Sequence, residues 1–258
     1  MFNKKPIAAA VIAAAFAVPG PSFAEEASSP HSLTGNLTFT TDYVFRGVTQ
    51  TFEQPAIQGG FDYAHSSGVY LGTWGSNVSG LQFTDGSMEW DFYGGWTKSF
   101  GDFGLNVGAL YYYYPGANLG TESYDTAELL VGGSWKWFSV KLYYSLTDFF
   151  GLNTTTGGSD SSDGSTYIDL SASYPLPQGF TVGAHYGRQT VEGAPTGVDL
   201  DYSDYKLSVS KDFQGFLLAL AYTDTDIESV NYAPITNSKG ETVQPGDSRV
   251  LLSVTKTF

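Results

Sequence analysis

Cysteine is absent from all 258 residues, which excludes a disulfide framework, a thiolate metal site and a cysteine nucleophile. Basic residues are scarce: 12 Lys and Arg stand against 26 Asp and Glu, a formal charge of −14. Nucleic acid and anionic lipid headgroups are poor partners for such a surface. Long hydrophobic runs are missing as well. Beyond residue 24 no window offers about 18 consecutive apolar residues, so helical membrane spans are not expected. The patterns G-x-S-x-G and H-E-x-x-H and a phosphate-binding loop do not occur either.

The one apolar run opens the chain. Lys4 and Lys5 precede an alanine-rich stretch from Ile7 to Val18, and Ser22-Phe23-Ala24 forms a small-x-small cleavage site. This is the layout of a secretory signal peptide over residues 1–24, too short in its apolar part to span a bilayer. Its removal takes two lysines and no acid, leaving 10 basic against 26 acidic residues, a charge of −16. Residues 25–34 read as a short periplasmic tail.

What fills the rest is alternation. In the first segment Leu37, Phe39, Thr41, Tyr43 and Phe45 share one face, and Asn36, Thr38, Thr40, Asp42 and Arg46 the other. A period of two marks a strand with one apolar face. Twelve such segments are expected: 35–46, 55–64, 68–77, 87–97, 103–114, 124–135, 138–148, 165–174, 179–188, 202–211, 215–225 and 247–258. The gaps between them run long and short in turn. That rhythm predicts an all-β, up-and-down transmembrane barrel over residues 35–258, with short periplasmic turns and long extracellular loops. Twelve strands about 4.8 Å apart and tilted about 40° give a barrel roughly 24 Å across. Its bore is narrow once side chains are counted.

Aromatics mark the two expected membrane interfaces. Phe100, Phe103, Trp135, Trp137, Phe138, Tyr174, Phe180, Phe213, Phe216 and Phe258 flank short turns; Trp74, Trp90, Tyr112, Tyr114, Tyr124, Phe149, Phe150 and Tyr222 lie near long loops. Parity sends some of these rings inward. It also turns Asp62, Glu89, Asp91, Glu128, Asp169, Arg46, Lys141, Lys206 and Arg249 into the lumen as candidate pore-lining residues. Pairing of the last strand with the first sets Arg46 beside Arg249, roughly opposite Glu89, Asp91 and Glu128. Such an array fits interior salt bridges, a transverse field across a constriction, or both. Acids in three loops (Asp160 and Asp163; Asp199, Asp201 and Asp204; Asp224, Asp226 and Glu228) match no calcium-loop template and read as a solvated face. No metal, cofactor or catalytic residue is expected. His65 sits at a short turn and His185 faces inward near mid-strand, and each reads as a solvated or hydrogen-bonded histidine.

The last strand alternates Val250, Leu252 and Val254 before a terminal Phe258, which resembles the signal by which the barrel-assembly machinery recognises outer-membrane proteins. Lys256 departs from that pattern but can snorkel. Three blocks near the start, Thr41-Asp42-Tyr43-Val44-Phe45-Arg46-Gly47-Val48-Thr49-Gln50-Thr51, Pro55-Ala56-Ile57-Gln58-Gly59-Gly60-Phe61-Asp62-Tyr63 and Gly72-Thr73-Trp74-Gly75-Ser76-Asn77-Val78, resemble the TorF family of proteobacterial outer-membrane porins. The resemblance implies an outer-membrane channel and supplies no catalytic residues. The chain therefore reads as a passive porin for small hydrophilic solutes or ions, embedded in outer-membrane lipid. The competing readings are a plugged structural or adhesive barrel and, behind it, an outer-membrane enzyme.

Overall fold

The computed structural model describes residues 29–258; the signal peptide read over residues 1–24 lies outside the described residues. Twelve strands close into one barrel: β1 (His31–Thr40), β2 (Ala56–His65), β3 (Val69–Asn77), β4 (Met88–Phe100), β5 (Phe103–Tyr113), β6 (Thr126–Trp135), β7 (Phe138–Ser145), β8 (Thr166–Pro175), β9 (Phe180–Thr190), β10 (Tyr202–Phe213), β11 (Phe216–Thr225) and β12 (Arg249–Thr257). Each is antiparallel to its sequence neighbours, and β12 returns to β1 with Asn36 opposite Thr257 and Thr40 opposite Ser253. Connections at one end are short (66–68, 101–102, 136–137, 176–179, 214–215). At the other end they are long (41–55, 78–87, 114–125, 146–165, 191–201, 226–248).

The alternation is realised on the two wall faces. On β5, Phe103, Leu105, Val107, Tyr111 and Tyr113 are exposed outside, while Leu110 and Tyr112 are buried inside. On β7, Phe138, Val140, Leu142 and Tyr144 face out and Tyr143 faces in. A band of apolar side chains exposed right round a barrel is the surface a bilayer covers, because lipid is the one solvent in which it is not penalised. Rings near the short turns stack along that surface, Phe103 on Trp135 at 6.2 Å and Trp137 edge-on to Tyr174 at 4.8 Å. Of the rings expected near the long loops, Tyr112, Tyr114 and Tyr124 turn into the interior, with Trp74 and Phe150 packed against them.

The seam between β1 and β12 is closed by the last residue. Phe258 N donates to Gly35 O at 2.9 Å and Gly35 N to Phe258 O at 2.7 Å. The Phe258 ring lies over Gly35, where a Cβ would meet the ring at 2.7 Å; only glycine lets the two approach.

Eleven strands start and end within three residues of expectation, and β1 does not. It occupies His31–Thr40 instead of 35–46, and the chain leaves the wall at Thr41. The apolar alternation runs on through Tyr43 and Phe45 because those rings are buried too, by packing inside the lumen instead of by lipid.

Candidate functional site in the barrel lumen

The segment 41–55 folds into the barrel as a hairpin, with Val44 opposite Thr49 and Phe45 opposite Val48. Asp42 staples its base by accepting from Thr49 Oγ1 and Thr51 Oγ1, both at 2.7 Å. Burial raises the Asp42 carboxyl above its usual value, against those two hydrogen bonds and the nearby Arg249 charge. Arg46 (φ 46) and Gly47 (φ 80) make the turn, the double positive φ of a tight two-residue hairpin. Gly47 abuts the far wall, where a Cβ would meet Asp204 Cβ at 2.7 Å. A larger residue there would push the tip out of the lumen.

Arg46 is the centre of the site. Its Nη2 lies 2.6 Å from Glu128 Oε2 and its Nη1 donates to Gln189 Oε1 at 2.8 Å. The guanidinium sits 4.3 Å from the Tyr167 ring centre, 4.7 Å from Phe45 and 5.1 Å from Tyr143. Arg46 is 8% exposed, Glu128 1% and Gln189 0%. Burial alone would weaken the guanidinium's hold on its proton; Glu128 outweighs this and strengthens it. The planar fork is held at its edge by a carboxylate and an amide oxygen and on its faces by rings. Tyr43 anchors the hairpin a second time, donating to Glu89 Oε2 at 2.8 Å and meeting Trp74 edge-on at 5.4 Å.

The structure distributes the predicted lumen residues over three groups. Glu89, Asp91 and Glu128 face inward and are fully buried around the hairpin. Lys141, Asp169 and Lys206 lie nearer mid-barrel, with Lys141 opposite Asp169 on β7 and β8. His185 joins them between two acids, its Nε2 2.9 Å from Asp204 Oδ1 and its Nδ1 3.4 Å from Asp169 Oδ1. Asp62, inward on β2, accepts from the buried Tyr93 at 2.6 Å. Two expectations are corrected. Arg46 is on the hairpin, not on β1. It does not pair with Arg249, whose guanidinium instead reaches Asp42 (3.6 Å), Glu53 (3.4 Å) and Pro245 O (2.8 Å) and so ties the hairpin's base to β12. Both arginines are spent on acids, so no positive pair faces the lumen.

Asp204 was read as a solvated loop acid and is a 3% exposed residue of β10. The signal was its parity, which it shares with Lys206. Ser171 and His185 have the outline of a nucleophile beside a base, with Ser171 Oγ 3.1 Å from His185 Nδ1. The serine hydroxyl, however, donates to Asp169 at 2.6 Å, so its proton is directed away from the imidazole. Below this level the inward side chains shorten to Thr38, Thr255, Ser208 and Asn106, the latter accepting from Tyr70 at 2.9 Å. The lumen is packed in its long-loop half; in its short-turn half small polar groups share the lining with the buried ring of Tyr70.

Residues 24–258 match the family model described as "Bacterial protein of unknown function (Gcw_chp)". The chain belongs to this family. No curated protein matches it. Among solved structures it is similar to the KdgM porin in complex with disordered oligogalacturonate, at 7% identity and TM-score 0.52, and to the KdgM porin alone, at 8% and 0.52; in both, 87% of this chain covers 99% of the other. The NanC porin in its rhombohedral crystal form is 9% identical at TM-score 0.48, with 88% of this chain over 98% of that one. At such identities the likeness to KdgM is one of fold, a twelve-stranded closed barrel.

Proposed function

We propose that this family member is a narrow outer-membrane porin that passes small hydrophilic solutes or ions by passive diffusion. The hairpin 41–55 is its constriction. The observation that carries the reading is the asymmetric lumen: an apolar outer wall encloses inward charged and hydroxylated side chains, and a single inward hairpin held at its tip by Arg46 and Glu128 narrows the path. A water-filled path needs polar and ionised groups along its wall, which the inward side chains supply. The barrel fold shared with KdgM is compatible with this, and so is the resemblance of the first three blocks to TorF porins.

In this reading the short turns face the periplasm and the long loops face outward. The leader directs export, and Phe258 with its alternating strand is read by the assembly machinery. The mid-barrel bases Lys141 and Lys206 stand among Asp169 and Asp204, so the path has no single sign. With a charge of −16 once residues 1–24 are removed (10 basic against 26 acidic residues), cations are favoured at the mouth, and a polyanionic sugar such as the oligogalacturonate of the KdgM complex is not the solute proposed.

A second reading, a plugged structural or adhesive barrel, is favoured by one observation: Tyr43, Phe45, Tyr112 and Tyr114 close-pack with Arg46 across the long-loop half. Conductance in planar bilayers separates the two. The porin reading expects steady small steps from the wild type, enlarged several-fold when residues 43–50 are replaced by a short flexible link. Silence from both proteins at high load refutes it; silence from the wild type with large steps from the variant supports the plug.

A further inference from the structure

Of the three histidines in the chain, two stand face to face. β1 and β2 pair so that His31 lies directly opposite His65. The adjacent pair is hydrogen-bonded, Ser66 N to Pro30 O at 2.9 Å. In an antiparallel ladder the two pair types alternate, so His31 and His65 form the closer, non-hydrogen-bonded kind, with Cα atoms about 4.5 Å apart. Both rings are on the outer face of the barrel at its short-turn rim, where the even-spaced neighbours Leu33 and Phe61 are also exposed.

We propose that His31 and His65 form a two-imidazole binding site for a borderline divalent transition metal: zinc, copper(II) or nickel. The ring centres are 5.1 Å apart with planes at 51°. With metal–nitrogen bonds of about 2.0–2.1 Å a ring centre stands roughly 3.2 Å from the ion, and two rings at a tetrahedral angle stand roughly 5.2 Å apart. The observed ring-centre spacing matches this value.

The second support is how each ring is held. His31 Nδ1 is 2.8 Å from Tyr63 OH, and His65 Nδ1 is 2.7 Å from Ser67 Oγ, with Ser67 N at 3.2 Å from the same nitrogen. A metal-ligating imidazole donates a hydrogen bond from its other ring nitrogen. His31 meets this with Nδ1 donating to Tyr63 OH, while His65, whose Nδ1 accepts from Ser67 N, has to move its proton to Nδ1 and donate to Ser67 Oγ so that Nε2 is freed for the ion. Neither Nε2 has a partner among the described residues. Tyr63 also stacks on His31 at 5.9 Å. Two nitrogen donors and no carboxylate disfavour calcium and magnesium, which take oxygen; water completes the coordination. His185, enclosed between Asp169 and Asp204, is not part of the site. A bound ion would link β1 to β2 next to the strand that closes the barrel.

The test uses the untagged, full-length barrel folded in detergent, with heat-modifiable gel mobility as the check that each variant is folded. Zinc is titrated against a chromophoric chelator, and copper(II) is followed by electron paramagnetic resonance. We expect one ion per chain, a loss of affinity of at least tenfold in His31→Ala and in His65→Ala, and a smaller loss in Tyr63→Phe, which keeps both ligands but frees one ring. The copper spectrum should show two coupled nitrogens in the wild type and one in each single variant. Equal zinc affinity in wild type and the double variant, or a single nitrogen in the wild-type spectrum, overturns the proposal. If the rim variant His31→Ala fails to fold, His65→Gln and the wild-type nitrogen count decide. Channel conductance plays no part in this outcome, so the site and the porin reading fail independently.

Discussion

At the scale of single residues, Arg46 and Glu128 carry the most consequence. Removing one partner of a buried pair leaves the other charge uncompensated, at a cost of roughly 3–5 kcal/mol, whereas replacing both with apolar groups is often neutral. Arg46→Met should therefore release the hairpin tip, giving larger and noisier conductance steps and a lower melting temperature. Glu128→Gln should act in the same direction. The double variant Arg46→Met with Glu128→Leu should be more stable than Arg46→Met alone. Melting curves of the set in detergent check this; strictly additive losses would show that the two side chains do not act as a pair. Gly35 and Phe258 are a second residue-scale dependence. Gly35→Val drives a side chain into the Phe258 ring, and deletion of Phe258 removes the two Gly35–Phe258 hydrogen bonds at the end of the seam. Both changes should cut the amount of heat-modifiable folded barrel, and wild-type levels in the deletion would remove the terminal ring from any role in assembly.

At the scale of elements, strand count and the rhythm of connections were legible in the sequence because lipid and lumen impose opposite chemistry on successive residues of every strand. What was not legible lies where a third environment intrudes. Asp42 to Arg46 continue the alternation of β1, since a ring buried under a hairpin and a ring buried in lipid look alike in a string of letters. Partner choice was hidden for a related reason. Register assigns neighbours along the wall, so Arg249 could be set beside β1, but Arg46 to Glu128 runs across the lumen, where no pairing rule applies. The loop 146–165, whose acids Asp160 and Asp163 read as part of a solvated face, is stitched by Asp148, which accepts from Ser161 Oγ (2.6 Å), Ser162 N (2.9 Å) and Asn153 Nδ2 (3.0 Å). Burial works against the charge, but these hydrogen bonds hold the Asp148 carboxyl below its ordinary value. A depressed carboxyl contributes stability above its unfolded value, about 3.9, and loses it as pH falls through the lower folded value. Hydrogen-exchange protection of residues 146–165, measured against the intrinsic rate at each pH, should thus hold from neutrality down to about pH 4 and fall below it. In Asp148→Asn this acid step should be missing. Tags inserted after Gly157 or Lys239 should be reached by antibody on intact cells, and tags after Ser66 or Gln178 only after permeabilisation. Staining at Gln178 on intact cells would invert the proposed orientation.

At the scale of the whole molecule, charge and shape point the same way. A strongly acidic chain raises cation concentration at the mouth of the lumen. The reversal potential across a salt gradient should favour cations at low salt and relax towards zero selectivity near 1 M, where screening acts within about 3 Å. Lys141→Gln, which removes an inward positive charge opposite Asp169, should move it further towards cations. An unchanged reversal potential would place Lys141 outside the conducting path.

The hairpin's anchorage has a consequence for the order in which the barrel is made. Arg46 emerges between the first two strands, but its carboxylate is 82 residues away on β6 and its amide partner 143 residues away on β9. Interactions that close such long loops form late. Until six strands stand in the wall the arginine has neither partner, and its tip has no far wall to rest on until β10 has joined them. A half-built barrel is then wider than the finished one, and the narrowing of the passage is the last step of its own construction.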